Sequence, residues 1–497
     1  MKRSNFIFAF ILIIGIFLRV FHNKSTSFFA DFDELYTVKT VTFINEDILL
    51  QNQSYNLSNI GNANIVDFFK NASRDHGNNF LYNFILSFFV YLFGFSDTGL
   101  RLFSCCCDIF SIYLLFRIGK LFTISNSRIL FSCALFLINP VFITYAFVIR
   151  AYSFCIIFTL LTFYFFSKVY FFKEKKYVHF SLASIGLFLS HFLTVYIVAV
   201  FVIFIILQRR KLSLEQQKAF SFSFIIIFIF CLLYLLINQR GVQSIMHISQ
   251  SISAGEGVKV SAENNRMLTT ENFIPALINY IDLFFSGLQY TIMTESFHKF
   301  PFLRYLFLTL SSLFIFFWMY SFQRKQQSDI VRLLFLLIFS GILVSIALAF
   351  ASSHTTSLSI KYSMFSIPFL LIFISWYEIK NSWIKNGIIV WFVFNCFLSS
   401  IFTVLNRGYK RPIFYSINTK SSKEFDCRQL PELVASMDYK KIAEIQFPTI
   451  DNMLFYYLHA PITNTTRLKY DIQNKDILFK FSDQNDRKAE FSLMEPE

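Results

Sequence analysis

Apolar runs long enough to enter a membrane recur through the first 405 residues of this chain, and they leave little freedom in its fold. In lipid each spanning segment must satisfy its own backbone hydrogen bonds, which a helix does within a single run. With 55% hydrophobic residues, 70 Phe and a mean hydropathy of +0.52, the sequence reads as an all-α polytopic membrane protein. Its formal net charge is +14, from 45 Lys+Arg against 31 Asp+Glu. In a soluble protein that excess would raise the question of nucleic acid. Here most of it sits in short loops between apolar runs, where it sets orientation and meets anionic lipid headgroups, so membrane lipids and not nucleic acids are the expected partner. The eight Cys include Cys105-Cys106-Cys107 inside an apolar run and show no CxxC spacing, so neither disulfides nor a metal site is expected.

The first run, 5–21, follows Lys2-Arg3 and lacks a small-x-small cleavage site, which fits an uncleaved signal anchor with its N-terminus in the cytoplasm. Residues 22–100 then form a first extracytoplasmic loop. Within it, 80–95 is apolar but has only about 16 residues where a perpendicular span needs ~20. Asn79, Asn83 and Ser87 make one polar stripe along it. If 80–95 does not cross, 101–122 runs inward and carries Arg117 and Lys120 to the cytoplasm. Arg128, Lys173/Lys175/Lys176, Arg209-Arg210-Lys211, Arg324-Lys325 with Arg332, and Lys380 with Lys385 then all follow. If it crosses, all of them land outside, so the positive-inside rule makes 80–95 an interfacial helix. The expected spans are 5–21, 101–122, 128–147, 150–168, 177–190, 192–207, 219–238, 301–322, 329–350, 360–377 and 383–405, about eleven in all. The stretch 273–291 carries Asn279 and Asp282 and is expected on the outer surface, inside a second large extracytoplasmic loop, 239–300.

This divides the chain into a transmembrane domain, 1–405, and a small soluble extracytoplasmic domain, 406–497. In the latter, charged and apolar residues alternate as in α/β proteins, with strands expected at 442–447 and 477–481 and a helix near 451–459.

The polar residues at the outer ends of the spans are Asp31, Asp33, Glu34, Arg74, Asp75, His76, Arg101, Arg150, His191, His354 and Lys361. Cations suit a phosphate and a carboxylate suits a hydroxyl proton, so one membrane face holds the groups for moving something from a lipid phosphate to an alcohol. The cytoplasmic loops are too short for a nucleotide-binding domain, and there is no glycine-rich phosphate loop. The rival reading is a transporter or flippase for a lipid-linked glycan, which would place ionisable residues near the bilayer midplane and show internal repeats. The span interiors read as nearly free of charge, and no repeat is visible.

The order of motifs carries a resemblance. Asp33-Glu34 follows the first span, and Asp75-His76-Gly77-Asn78-Asn79-Phe80-Leu81-Tyr82 leads into the amphipathic helix. Then come Gly94-Phe95-Ser96-Asp97-Thr98-Gly99-Leu100-Arg101-Leu102, Asn139-Pro140 and Arg150-Ala151-Tyr152-Ser153, with an echo at Lys361-Tyr362 and Pro368. This succession resembles the GT-C superfamily of polyprenyl-phosphate-dependent glycosyltransferases, near the protein mannosyltransferase and aminoarabinose transferase branch. The chain departs from the family at Gly77-Asn78-Asn79, where relatives commonly carry two prolines, and at Lys361, where they usually have Arg.

The resemblance implies a GT-C fold and an inverting transfer from a polyprenyl-phosphate sugar to a glycan, lipid or protein hydroxyl. Asp33 would be the general base, with Glu34 orienting it or binding the sugar. His76, Arg150 and Lys361 would hold the donor phosphate, followed by Arg101 and His191. No cofactor is required; a divalent cation at Glu34 is an option for which the sequence carries no strong signal. Other readings stand beside these. Asp31 with Glu34 has the spacing of a helix capping box, and Arg101 and Arg150 can equally be basic residues snorkelling from span ends. An oligosaccharide polymerase or ligase is a rival within the enzyme class. The Asn- and Phe-rich composition suggests a bacterial inner membrane with the site facing the periplasm.

Overall fold

The computed structural model describes residues 3–25, 78–93, 97–146, 148–238, 328–352 and 358–376, five strands beyond residue 413, and scattered helical positions between them such as Thr37, Val41, Phe68 and Tyr280. The helices in chain order are α1 (Arg3–Ser25), α2 (Phe80–Phe93), α3 (Asp97–Leu121), α4 (Asn126–Ile138), α5 (Pro140–Tyr145), α6 (Tyr152–Tyr170), α7 (Tyr177–Ser190), α8 (Val195–Gln208), α9 (Leu214–Ile237), α10 (Asp329–Ser352), α11 (Ile360–Ser363) and α12 (Ile367–Trp376). Among the described residues, five helices are long and apolar enough to cross a membrane: Gly99–Leu121, Tyr152–Tyr170, Phe192–Lys211, Leu214–Ile237 and Asp329–Ala351. The expected spans 301–322 and 383–405 fall outside the described residues or have only scattered positions within them.

Helix α6 sits at the centre. Residues on every side of it are buried, from Tyr152 to Tyr170. Its neighbour α7 comes close because Gly186 leaves room for the ring of Phe158; a Cβ there would lie 2.2 Å from that ring. The peripheral α9 begins with a complete capping box between Ser213 and Gln216 and presents Phe222, Ile225, Phe228 and Leu233 outward, as a lipid-facing helix does.

Two ends of the bundle are distinct. At one, Asp329 accepts hydrogen bonds from Lys211 Nζ at 2.6 Å and Tyr170 Oη at 3.1 Å. These contacts join the segment ends that the charge pattern assigns to the cytoplasm. At the opposite end lie His191, between α7 and α8, and the start of α2. As expected, α2 is short and amphipathic: Asn83 and Ser87 face inward, while Phe84, Phe88, Tyr91, Leu92 and Phe93 are exposed. Fourteen residues reach about 21 Å, too little to cross a ~30 Å hydrocarbon core.

The structure differs from the sequence reading in two places. The expected span 128–147 is two helices, because Asn139 is extended and Pro140 starts α5; proline removes a backbone donor and cannot continue the preceding helix. The stretch 273–291, expected on the outer surface, packs into the bundle at its described positions. Phe273 lies 5.2 Å from Phe350 between ring centroids. Tyr280 donates to the Gly341 carbonyl at 3.4 Å, about 14 Å further along α10 at 1.5 Å per residue. Phe273, Leu277, Tyr280, Ile281 and Phe284 recur at helical spacing and belong to the same apolar core as Leu334 and Ile342 of α10.

The five strands form a mixed sheet in the order β2-β1-β5-β4-β3, where β1 is Phe414–Asn418, β2 Lys423–Asp426, β3 Ile442–Ile445, β4 Ile477–Asp483 and β5 Lys488–Leu493. Pairs β1/β2 and β4/β5 are antiparallel, and β1/β5 and β3/β4 are parallel. Strands therefore occur at both expected positions, 442 and 477. The helix expected near 451–459 lies outside the described residues.

Gly186→Val is expected to overpack α6 against α7 at a cost of about 1–3 kcal/mol. The check is a lower unfolding temperature of the detergent-purified protein, with Phe158→Ala in the same chain restoring part of it.

Candidate active site

Each functional side chain at the His191 end sits at a break in a helix. Helix α7 stops at Ser190 and His191 is extended, with φ −165° and ψ 123°. The imidazole caps the turn that follows: its Nδ1 accepts from the Leu193 N–H at 3.2 Å. A neutral ring that accepts at Nδ1 carries its proton on Nε2, and Nε2 lies 3.4 Å from the Asn78 Nδ2. Asn78 is oriented by its other amide atom, which accepts from the Phe192 N–H at 3.2 Å. Asn78 and His191 thus meet at this break, each bonded to the backbone of the turn. Asn79 follows with φ 60°, a left-handed conformation that Asn tolerates, and turns the chain into α2.

Arg150 lies in the corner between α5 and α6, buried, with its Nη1 donating to Thr37 Oγ1 at 3.3 Å. Two residues on, the Tyr152 ring lies 6.3 Å from His191 and 4.9 Å from Tyr145. Phe365, in the turn after α11, lies 6.0 Å from His191. Four residues before it, Lys361 is half-buried with its Nζ over the Tyr362 ring at 5.3 Å. Ser366 fixes that turn through its hydroxyl, 3.1 Å from Tyr196 Oη. The fold therefore gathers the segments bearing Arg150, His191 and Lys361 around one aromatic corner. It adds Asn78 from the loop that carries His76 and Thr37 from just beyond the acidic corner.

Arg101 is buried on α3, on the face that also carries Cys105 and Asp108. Asp33, Glu34 and His76 lie outside the described residues, as do Asp31, Arg74, Asp75 and His354. Among the described residues no group of His, Cys, Asp and Glu could hold a metal ion.

Sequence reasoning missed Asn78, Thr37 and one ion pair. Asp108 lies inside α3 and Arg19 inside α1, both buried, with Arg19 Nε donating to Asp108 Oδ2 at 2.6 Å. The expectation that span interiors are nearly free of charge is corrected here. A carboxylate in the middle of an apolar run was the available signal, because such a residue survives in lipid only with a partner.

The structure of ArnT from Cupriavidus metallidurans bound to undecaprenyl phosphate has the same fold, with a TM-score of 0.53 at 10% sequence identity, covering 91% of this chain and 85% of that one. The sequence adds its own mark: residues 75–237 match the family model described as dolichyl-phosphate-mannose-protein mannosyltransferase. The chain thus shares the fold of a polyprenyl-phosphate-binding membrane enzyme and, over 75–237, the sequence pattern of the mannosyltransferase family. A lower similarity links it to the archaeal oligosaccharyltransferase AglB from Archaeoglobus fulgidus in complex with an inhibitory peptide and a dolichol-phosphate, with TM-score 0.45 and 8% identity over 92% of this chain and 64% of that one. No curated protein sequence matches the chain.

Asn78→Ala leaves the Phe192 N–H without its acceptor, at a cost of about 1–3 kcal/mol. Hydrogen exchange is expected to accelerate at Phe192 and Leu193 in that variant and to stay near wild type in Asn78→Asp, which keeps the acceptor oxygen.

Proposed function

We propose that the protein transfers a sugar from a polyprenyl-phosphate donor to a hydroxyl of a glycan, lipid or protein on the extracytoplasmic face, with inversion at the anomeric carbon. The Asp33 carboxylate takes the acceptor hydroxyl's proton, the oxygen attacks the anomeric carbon, and the bond from that carbon to the phosphate oxygen breaks with its electron pair. A glycosidase needs a second carboxyl group to protonate a leaving alkoxide. A phosphate leaves as a stable anion, so one carboxylate suffices where cations hold the departing charge. Arg150, His76 and Lys361 take that role, followed by Arg101 and His191, and Glu34 orients Asp33 or binds the sugar.

The observation that carries this reading is the convergence at the His191 end. Arg150, the His191–Asn78 contact and the Lys361 turn meet around Tyr152 and Phe365. Thr37, on Arg150, supports the place of the acidic corner, since three residues of chain back to Glu34 reach at most about 11 Å. The undecaprenyl phosphate in the ArnT structure and the match to a dolichyl-phosphate-mannose family support a polyprenyl-phosphate donor. On this reading the donor site opens outward, to the periplasm of a bacterial inner membrane, and 406–497 is a soluble domain on that side.

The test compares wild type and Asp33→Asn, each mixed with cell-derived polyprenyl-phosphate sugars and an extract of candidate acceptors, by release of free polyprenyl phosphate. Wild type is expected to release it, and a folded Asp33→Asn to do so about 10²- to 10⁴-fold more slowly. Equal release by both would remove Asp33 from the mechanism. No release by either, with lipid flipping in liposomes, would favour a transporter. Arg150→Lys is expected to weaken the donor phosphate contact, since a point charge does not replace a planar fork; the Kd for polyprenyl phosphate checks it.

A further inference from the structure

The ion pair between α1 and α3 lies well inside the bundle. Arg19 is 16 residues along α1 from Arg3, and Asp108 is 11 residues along α3 from Asp97. Those positions are about 24 Å and 16 Å from the respective helix starts, in the half of the bundle nearer His191. Arg19 Nη2 approaches Asp108 Oδ2 to 2.5 Å, while Nη1 donates to the carbonyls of Gly15 and Leu137, each at 3.4 Å. An ion pair in this setting is costly, and apolar side chains of similar volume would hold two helices together as well.

The Leu137 carbonyl explains what the charge adds. In an unbroken helix it would accept from the N–H of Val141. At this break that N–H goes to Asn139 Oδ1 at 2.9 Å instead, and Leu137 is left with an orphaned carbonyl inside the membrane. Arg19 supplies its donor, and Asp108 fixes the direction of the guanidinium that does so. Gly15 permits the approach, since a Cβ there would meet Leu137 Cδ1 at 2.6 Å. From the break, α5 leads to the Arg150 corner, and further bonds hold that path: Cys105 Sγ donates to the Ala146 carbonyl at 3.4 Å and Ser153 Oγ to the Tyr145 carbonyl at 3.2 Å. Cys105 and Asp108 share a face of α3, so one helix holds both ends of α5.

We propose that Arg19 and Asp108 are positioning residues for the transfer reaction: the pair fixes the break at Asn139–Pro140, and with it the depth at which Arg150 meets the donor phosphate. The proposal rests on the transferase reading above. It concerns the rate of transfer, because the pair acts through the Arg150 corner.

The test uses full-length Arg19→Leu/Asp108→Leu, which removes both charges together, and Arg19→Lys, whose compact ammonium keeps the charge but cannot span Asp108 and Leu137 at once. Each is measured for unfolding temperature, Kd for polyprenyl phosphate, and kcat and KM for polyprenyl phosphate release. Each is also combined with Val148→Cys, a buried position next to Arg150, in a background where accessible native cysteines such as Cys106 are replaced. The labelling rate with a membrane-impermeant maleimide then reads the corner directly. Both variants are expected to stay folded with a raised Kd for polyprenyl phosphate, kcat lowered tenfold or more, and labelling several-fold faster. Folded variants with wild-type kcat and labelling overturn the proposal and leave the pair a helix staple. If the double variant unfolds, Arg19→Lys decides by the same measurements. If wild type releases no polyprenyl phosphate, the transferase reading has failed, and the labelling rates still show whether the pair holds the corner.

Discussion

Inside a bilayer a backbone N–H or C=O has only protein to bond to, and this protein breaks its helices where other groups can satisfy the freed atoms. At Asn139–Pro140 the Asn139 amide takes the Val141 N–H and Arg19 takes the Leu137 carbonyl. At Ser190–His191 the imidazole takes the Leu193 N–H, Asn78 takes the Phe192 N–H, and Thr194 donates to the Leu187 carbonyl at 2.9 Å. Polar side chains are drawn to these breaks for structural reasons, and the proposed site is drawn from the same breaks.

That coupling accounts for the asymmetry between the two ends. At the Asp329 end the helices are joined by ordinary contacts among partly exposed side chains, such as Lys211–Asp329 and Lys168–Glu174. At the His191 end they stop short, and the corners between them hold Arg150, His191 and the Lys361 turn around Tyr152 and Phe365. Under the proposed reaction, a donor phosphate would meet side chains already oriented by backbone contacts, which would lower the reorganisation needed as charge builds up on the leaving group.

Several parts of this were legible in the sequence for identifiable reasons. Helices Tyr177–Ser190 and Asp329–Ser352 lie within two residues of their expected bounds because long apolar runs in lipid allow little else. The short amphipathic α2 was readable from its length and from the Asn79/Asn83/Ser87 stripe. Asn78 stood out only as a departure from the family's pattern, since its role depends on His191, which is more than a hundred residues away. Arg19 and Asp108 are 89 positions apart, and neither announces the other; each looks like an isolated charge until α1 and α3 are side by side. The stretch 273–291 misled because Asn279 and Asp282 weighed against burial, whereas the aromatic stripe beside them had a helix to pack on.

The sequence by itself determined that this chain is a polytopic helical membrane protein, which of its ends carry positive charge, and which superfamily it resembles. Those properties follow from composition, run length and charge order, all of which are local. The tertiary structure alone decided which helix breaks meet, that Arg150 faces Thr37, that Asn78 meets His191, and that a buried ion pair claims the Leu137 carbonyl left open at the Asn139–Pro140 break. Such pairings join residues remote in the chain, and their energies depend on distances that only packing sets.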